Sequence, residues 1–276
     1  MDQPSCFTLT EQGGVAELTM SRPEALNTMT MEFWNELPQL VRALDAAGKT
    51  RALVLASTGR HFTAGMDLSV FTGGAMSTDT ARAREAIRQK ALWLQEAFNR
   101  LEQARFPVIA AVHGGCVGGG LDLVCACDLR YATRDAFFTI QEINLGMMAD
   151  LGTLQRLPKL LPEAIVRELA YTGERLSAVE AHRLGFVNRL FDNQQELLAS
   201  ARATAAKIAT KAPLAIAGSK EAITFARDNP VPIGLQMAAT WQAGLLDAPE
   251  AIALILAGKA GPAPEFEPLQ ELPKAR

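Results

Sequence analysis

An α/β fold with a helical C-terminal region is what this 276-residue sequence predicts. Three observations carry it. Residues 51–57 (RALVLAS) and 108–112 (VIAAV) are short unbroken apolar runs, the mark of strands covered on both faces. A long helical pattern joins them, as a parallel pair requires. Beyond about residue 150 the periodicity is almost wholly helical. The chain therefore divides into an α/β core, 1–200, and a helical region, 201–276, that ends in a proline-rich tail and is expected to serve oligomerisation.

The elements follow in order. Phe7, Leu9, Val15, Ala16, Leu18 and Met20 flank Gly13-Gly14, a turn that can take the positive φ of a tight hairpin. Arg22-Pro23 ends the hairpin, and Thr30 is positioned as an N-cap. The next helix places Phe33, Leu37, Leu40, Val41 and Leu44 on one face, contains a bending Pro38, and stops at Gly48. In the long helix 79–104, Ile87, Ala91, Leu94, Phe98 and Leu101 form a stripe read as core, while Arg82, Arg84, Arg88 and Lys90 make its solvated face. Strands are expected at 129–133, 136–140 and 186–190. Further helices follow Pro213 and Pro232, and 248–257 is apolar nearly all round. The last 16 residues are expected to trail as an extended arm.

Composition removes several classes of function. Hydrophobic residues make up 49% and charged ones 21%, which excludes a disordered chain or a coiled-coil rod. A net charge of −3 supplies no field toward nucleic acid or anionic lipid, so neither is expected as a partner. The apolar run 251–257 is far too short to span a bilayer. Met1-Asp2-Gln3-Pro4 lacks the basic and apolar regions of a secretory leader. Cys6, Cys116, Cys125 and Cys127 have no framework spacing and read as buried free thiols, so a reducing, cytoplasmic setting is expected. His61, His113 and His182 have no ligand spacing, and no metal is expected. No GxSxG elbow occurs, and Ser219 falls within a predicted helix.

Two glycine-containing turns follow the buried strands: His61-Phe62-Thr63-Ala64-Gly65-Met66-Asp67, and Gly114-Gly115-Cys116-Val117-Gly118-Gly119-Gly120, which runs into a helix near Gly119. Glycine lets backbone N–H groups approach a ligand, and a helix N-terminus leaves such groups unpaired. Two such turns at neighbouring strand ends could converge on one oxygen as an oxyanion hole. The same glycines could serve only tight helix–sheet packing, and spacing alone does not choose. The second turn lacks the GxGxxG and P-loop patterns. His61 and His113 are read as orienting backbone or facing solvent.

Acidic residues add weight to the catalytic reading. Asp122 lies one helical turn beyond Gly119 amid Leu121, Leu123, Val124 and Cys125. Glu142 follows an apolar strand, and Asp150 has only apolar or glycine neighbours. Carboxylates gathered in a dry pocket cannot all ionise, so at least one should be raised toward the range useful for proton transfer.

Phe62-Thr63-Ala64-Gly65-Met66-Asp67-Leu68 and Ile109-Ala110-Ala111-Val112-His113-Gly114 with Gly118-Gly119-Gly120 resemble the crotonase (enoyl-CoA hydratase/isomerase) superfamily. So do Arg22-Pro23 through Asn27 and Gln141-Glu142-Ile143-Asn144-Leu145-Gly146. The likeness runs from about residue 7 to 260. It implies a spiral of ββα units, an acyl-CoA thioester substrate whose CoA is no separate cofactor, and a homotrimer or dimer of trimers. It implies that the N–H groups of Met66 and Gly119 hold the thioester oxygen. Ala25, Asn27, Ala64, Gly65, Asp67, Leu68 and Gly118 would line the CoA site with them. Arg22 and Lys259 are candidates for the CoA phosphates.

The stretches Gly118 to Tyr131 and Asp135 to Lys159 resemble more narrowly the Δ3,5-Δ2,4-dienoyl-CoA isomerases. That resemblance implies Asp150 as the base at C2, Glu142 as the acid at C6 and Asp122 as their support. A hydratase adding water to a 2-enoyl-CoA through Asp122 and Glu142 is the alternative. A non-catalytic thioester- or RNA-binding scaffold is the reading from another class.

Overall fold

The computed structural model describes residues 4–72, 78–258 and 265–273. The chain opens with the expected hairpin, β1 (Phe7–Gln12) against β2 (Val15–Met20), turning through Gly13 and Gly14 at φ 57° and 78°. Both angles are the left-handed values of a two-residue hairpin turn. Helix α1 (Met31–Ala46) starts after Thr30 and buries Phe33, Leu37, Leu40, Val41 and Leu44, together with Trp34. Thr30 occupies the cap position, but its side chain does not cap the helix. Strand β3 (Ala52–Ser57) is buried at every position because parallel partners β2 and β4 (Val108–Val112) flank it while helices cover its faces.

Between β3 and β4 lie α2 (Ser69–Thr72) and the long α3 (Ala81–Gln103). The chain then makes β5 (Gly115–Val117), α4 (Gly119–Cys125), β6 (Leu129–Thr133) and β7 (Phe137–Thr139). Two sheets result. One has the order β1-β2-β3-β4-β6-β9 and the other β5-β7-β8. Successive strands step between them: β4 and β6 join the large sheet, β5 and β7 the small one. This is the spiral of ββα turns that the sequence resemblance implied.

The C-terminal half departs from expectation in two places. Strand β8 (Arg175–Ser177) was not anticipated, and the strand expected at 186–190 is β9 (Arg189–Phe191). Phe186 and Val187 are buried, but their amides bond to Ala181 at the end of α7 (Ala178–Arg183) and not to a neighbouring strand. Short α5 (Thr153–Arg156) and α6 (Glu163–Thr172) precede them. Helix α8 (Gln194–Ala209) packs Leu197, Ala201 and Ala205 onto the outer face of the large sheet. The expected division at residue 200 falls inside this helix. Helices α9 (Pro213–Asp228), α10 (Val231–Leu245) and α11 (Ala248–Ala257) follow; α9 starts at Pro213 as expected, whereas α10 begins one residue before Pro232, which lies in its first turn.

Residues 265–273 of the terminal segment do not trail; the rest of the expected arm lies outside the described residues. Leu269 and Leu272 donate amide hydrogens to Gly48 and Ala46 at the end of α1, and Arg51 reaches the carbonyls of Phe266 and Glu267. A side chain at Gly48, at φ 68°, would collide with the Leu269 carbonyl. All four cysteines are free and buried.

Candidate active site

The two glycine-containing turns meet because one is bridged directly to the other. Thr63 bridges Cys116 of β5, and Met29 bridges Met66. In the second bridge the amide of Met29 donates to Gly65 O and that of Asp67 to Met29 O. The N–H of Met66, between those two peptides, therefore points the other way along the pleat. The N–H of Gly119 is the first of α4, where no intrahelical acceptor exists. Among the described residues neither group donates a hydrogen bond, and a Cβ at Gly119 would stand 4.0 Å from Met66 N. Two residues with unpaired N–H groups thus border one cavity.

Glycine is required at three points of this construction. Gly118 sits at φ 54°, ψ −120° immediately before α4, and its Cβ would press on the Glu142 carboxylate at 3.2 Å. Gly65, at φ 90°, passes so close to Val117 O that a Cβ would lie 2.7 Å from it. A Cβ at Gly120 would meet the methyl of Thr63 at 2.5 Å. The third glycine serves packing, as one of the two readings of the glycine run expects.

Asn27 is a staple of this region. It is buried at φ 53°; its side-chain oxygen accepts the Arg22 amide, and its nitrogen donates to Thr58 O and His61 O. His61 Nδ1 accepts the Gly115 amide, and His113 Nε2 contacts Gly59 O, so both histidines orient backbone as expected. Burial lowers the pKa of each ring below its ordinary value.

The cavity in front of the two N–H groups has a volume of about 410 Å³. Met66, Gly118, Gly119, Glu142 and Asp150 all line it, with Ala64, Gly65 and Leu68. Ala25, Asn27 and Asp67 do not line it. Asp67 instead accepts hydrogen bonds from the Ser69 side chain, the Thr28 hydroxyl and the Ser69 amide, which hold its pKa down to about 2. Arg22 donates to Thr28 O, and Lys259 lies outside the described residues.

Asp122 stands behind the cavity, fully buried on α4. Its Oδ1 accepts the Thr153 amide at 2.6 Å from the start of α5, while its Oδ2 has no partner. Burial, reinforced by the charge of Glu142, raises its pKa to about 7. Glu142 is raised by burial and by Asp150, and its Oε2 is also buried without a partner. Asp150 is exposed where it borders the cavity, yet desolvation by its apolar surroundings raises it as well. The three acids therefore do not carry three full charges at neutral pH.

The stripe of α3 divides in two. Phe98 and Leu101 are core and Leu94 is core that also borders the cavity, but Ile87 and Ala91 are half-buried and line the cavity. Lys90, expected on the solvated face, also lines it and donates to Val70 O. Leu145, Met147 and Met148 complete the apolar wall. Sequence reasoning missed these residues; the one signal for them was their place between Glu142 and Asp150. Among the described residues no group of three His, Cys, Asp or Glu side chains could hold a metal, and no helix is long and apolar enough to cross a membrane.

Comparison with known proteins adds the following. The family model described as enoyl-CoA hydratase/isomerase matches residues 10–247. The peroxisomal Δ(3,5)-Δ(2,4)-dienoyl-CoA isomerase of Arabidopsis thaliana is 41% identical over 236 residues, 84% of this chain and 85% of that one. A short-chain-enoyl-CoA hydratase of Clostridium acetobutylicum is 34% identical, over 78% of this chain and 79% of its own. Among solved structures, an enoyl-CoA hydratase from Bacillus anthracis superposes with a TM-score of 0.85 at 28% identity, covering 97% of this chain and 99% of that one.

Proposed function

Because the chain belongs to the enoyl-CoA hydratase/isomerase family, we propose that it converts a 3,5-dienoyl-CoA into the 2,4-dienoyl-CoA. The observation that carries this reading is the placement of the acids. Glu142 and Asp150 both line the cavity that holds the two free N–H groups, whereas Asp122 does not reach its surface. An isomerase needs proton-transfer groups at two separated carbons. A hydratase needs two carboxylates on one water, and the pair assigned to that task includes the one acid that is sealed off.

Each step follows from the chemistry of the site. The N–H groups of Met66 and Gly119 donate to the thioester oxygen and stabilise the charge that builds on it as a C2 proton leaves. Asp150, exposed and so able to ionise, takes that proton. The electron pair moves through the conjugated system, and Glu142 delivers a proton to C6. The double bonds shift from C3 and C5 to C2 and C4. Glu142 suits the acid role because burial and the nearby Asp150 charge favour its neutral form. Asp122 supports both by opposing a second negative charge beside them. The resting state returns when the proton on Asp150 passes back to Glu142.

CoA enters as part of the thioester, with no separate cofactor in the reaction. Free buried thiols suit a reducing compartment, and a cytoplasmic location remains our reading.

The test compares turnover of a 3,5-dienoyl-CoA and a 2-enoyl-CoA by one purified sample, wild type and Asp150→Asn. We expect the dienoyl substrate to be preferred and Asp150→Asn to slow its isomerisation by at least about 10²-fold, the scale of a general acid–base group. Any hydration should change far less. Wild-type isomerisation rates in Asp150→Asn would remove Asp150 as the base and favour the hydratase.

A further inference from the structure

Helix α3 carries a polar row beside its apolar stripe. Gln95, Asn99 and Glu102 recur at i, i+4 and i+7, so they share one face of the helix. All three bond to one stretch of chain, residues 150–156. The side-chain nitrogen of Gln95 donates to the Asp150 carbonyl at 2.6 Å. Asn99 and Glu102 accept from the Arg156 guanidinium, at 2.7 Å and at 3.1 and 3.2 Å. The guanidinium held in this way lies against Gly152, at φ 132°, where a Cβ would collide with it. The turn that carries Asp150 is thus pinned from α3 at both ends. It needs that support, because residues 148–152 belong to no helix or strand, and among the described residues their amides donate to no other backbone group.

We propose that Gln95 is a positioning residue, one that holds Asp150 where it meets C2 of the substrate. The inference rests on the isomerase reading for the role of Asp150. A peptide unit is planar, so a bond to the Asp150 carbonyl fixes the orientation of the whole link from Asp150 to Leu151. Leu151 is itself buried, which anchors the far side of that link. Gln95 does not line the cavity, whereas Ala91 and Leu94 on the adjoining face of α3 do. Its route to the substrate therefore runs through the acid it holds. A base must stay within hydrogen-bond reach of the proton it takes, and a displacement of about 1 Å can cost about 10²-fold in rate. Loss of the tether leaves the cavity walls as they are, so binding should survive while the chemical step slows.

Gln95→Met tests the proposal, since it keeps the length and helix preference of the side chain and removes its donor. Gln95 is half-buried on the helix surface, so the fold should stand. With 3,5-octadienoyl-CoA as substrate, kcat should fall at least about tenfold while KM stays within about twofold. Hydrogen–deuterium exchange supplies a readout that needs no turnover. The amides of residues 150–153 should exchange about tenfold faster in the variant, the scale of one lost hydrogen bond, with those of α3 and the large sheet unchanged. Unaltered exchange in that turn overturns the tether. A wild-type kcat in the variant, or a rise in KM that accounts for the whole loss, overturns the positioning role. Absence of turnover by the wild type, with faster exchange in the variant, sinks the isomerase reading and leaves Gln95 as the holder of Asp150.

Discussion

Asp122 shows how a single side chain can tie the chemistry of this site to the stability of the fold. One of its oxygens has a backbone partner and the other has none, so burial raises its pKa to about 7. An ordinary aspartate titrates near 4. Between those values the folded protein binds more protons than the unfolded chain, so stability falls as pH rises, by up to about 4 kcal/mol for this residue. Glu142 and Asp150 are raised too and act in the same direction. Urea unfolding at pH 5 and pH 8 should show the wild type losing stability with pH, and Asp122→Asn losing clearly less. Equal losses in the two proteins would mean that Asp122 ionises as an exposed aspartate does. All three acids could be picked out in the sequence, because a carboxylate amid apolar neighbours is costly unless it has a task. Which of them borders the cavity could not, since burial of the third depends on α5 closing over it.

At the scale of elements, the N–H groups proposed to hold the thioester oxygen belong to backbone that two separate pairings hold in place. Their action through N–H groups gives a sharp expectation. Met66→Ala should keep most activity, whereas Gly119→Pro should lose about 10²–10³ in kcat, the cost of one such donor. Proline is accepted at the first position of a helix, so α4 should survive the change. Circular dichroism with steady-state kinetics checks both, and equal losses in the two variants would speak against a main-chain role. The long strands and helices were legible from periodicity. Strand β5 was not, because a three-residue strand containing a glycine has no pattern of its own and exists only through its pairing with β7. The stripe on α3 was legible as inward-facing, but periodicity does not distinguish a packed interior from a cavity, so Ile87 and Ala91 were read as core.

The whole molecule leaves apolar surface uncovered. None of the described residues of α10 or α11 is buried, and Ile223, Val231, Leu235, Ile255 and Leu256 are all more than 60% exposed. Such surface on an isolated chain marks an interface. Light scattering at micromolar concentration should therefore give a trimer or a larger assembly, and a clean 29.7 kDa monomer would count against it. Replacing Leu235 and Ile255 together by aspartate should shift the mass toward the monomer.

By itself the sequence determined the α/β class, the order of the long elements, the glycine turns and the identity of the three acids. Each of these is set by residues near one another along the chain, through periodicity, positive φ or the cost of an isolated charge. The tertiary structure decided what depends on distant segments meeting. The bridges from Thr63 to Cys116 and from Met29 to Met66 bring the two N–H groups together. The contact of Thr153 with Asp122 seals one acid while two others line the cavity. The terminal segment, with no periodic pattern, takes its place because the end of α1 offers carbonyls to Leu269 and Leu272 while Arg51 and Arg105 bond the carbonyls of Phe266, Glu267 and Gln270. Local patterns record which groups must be buried or turned; only the folded chain decides what they are buried against.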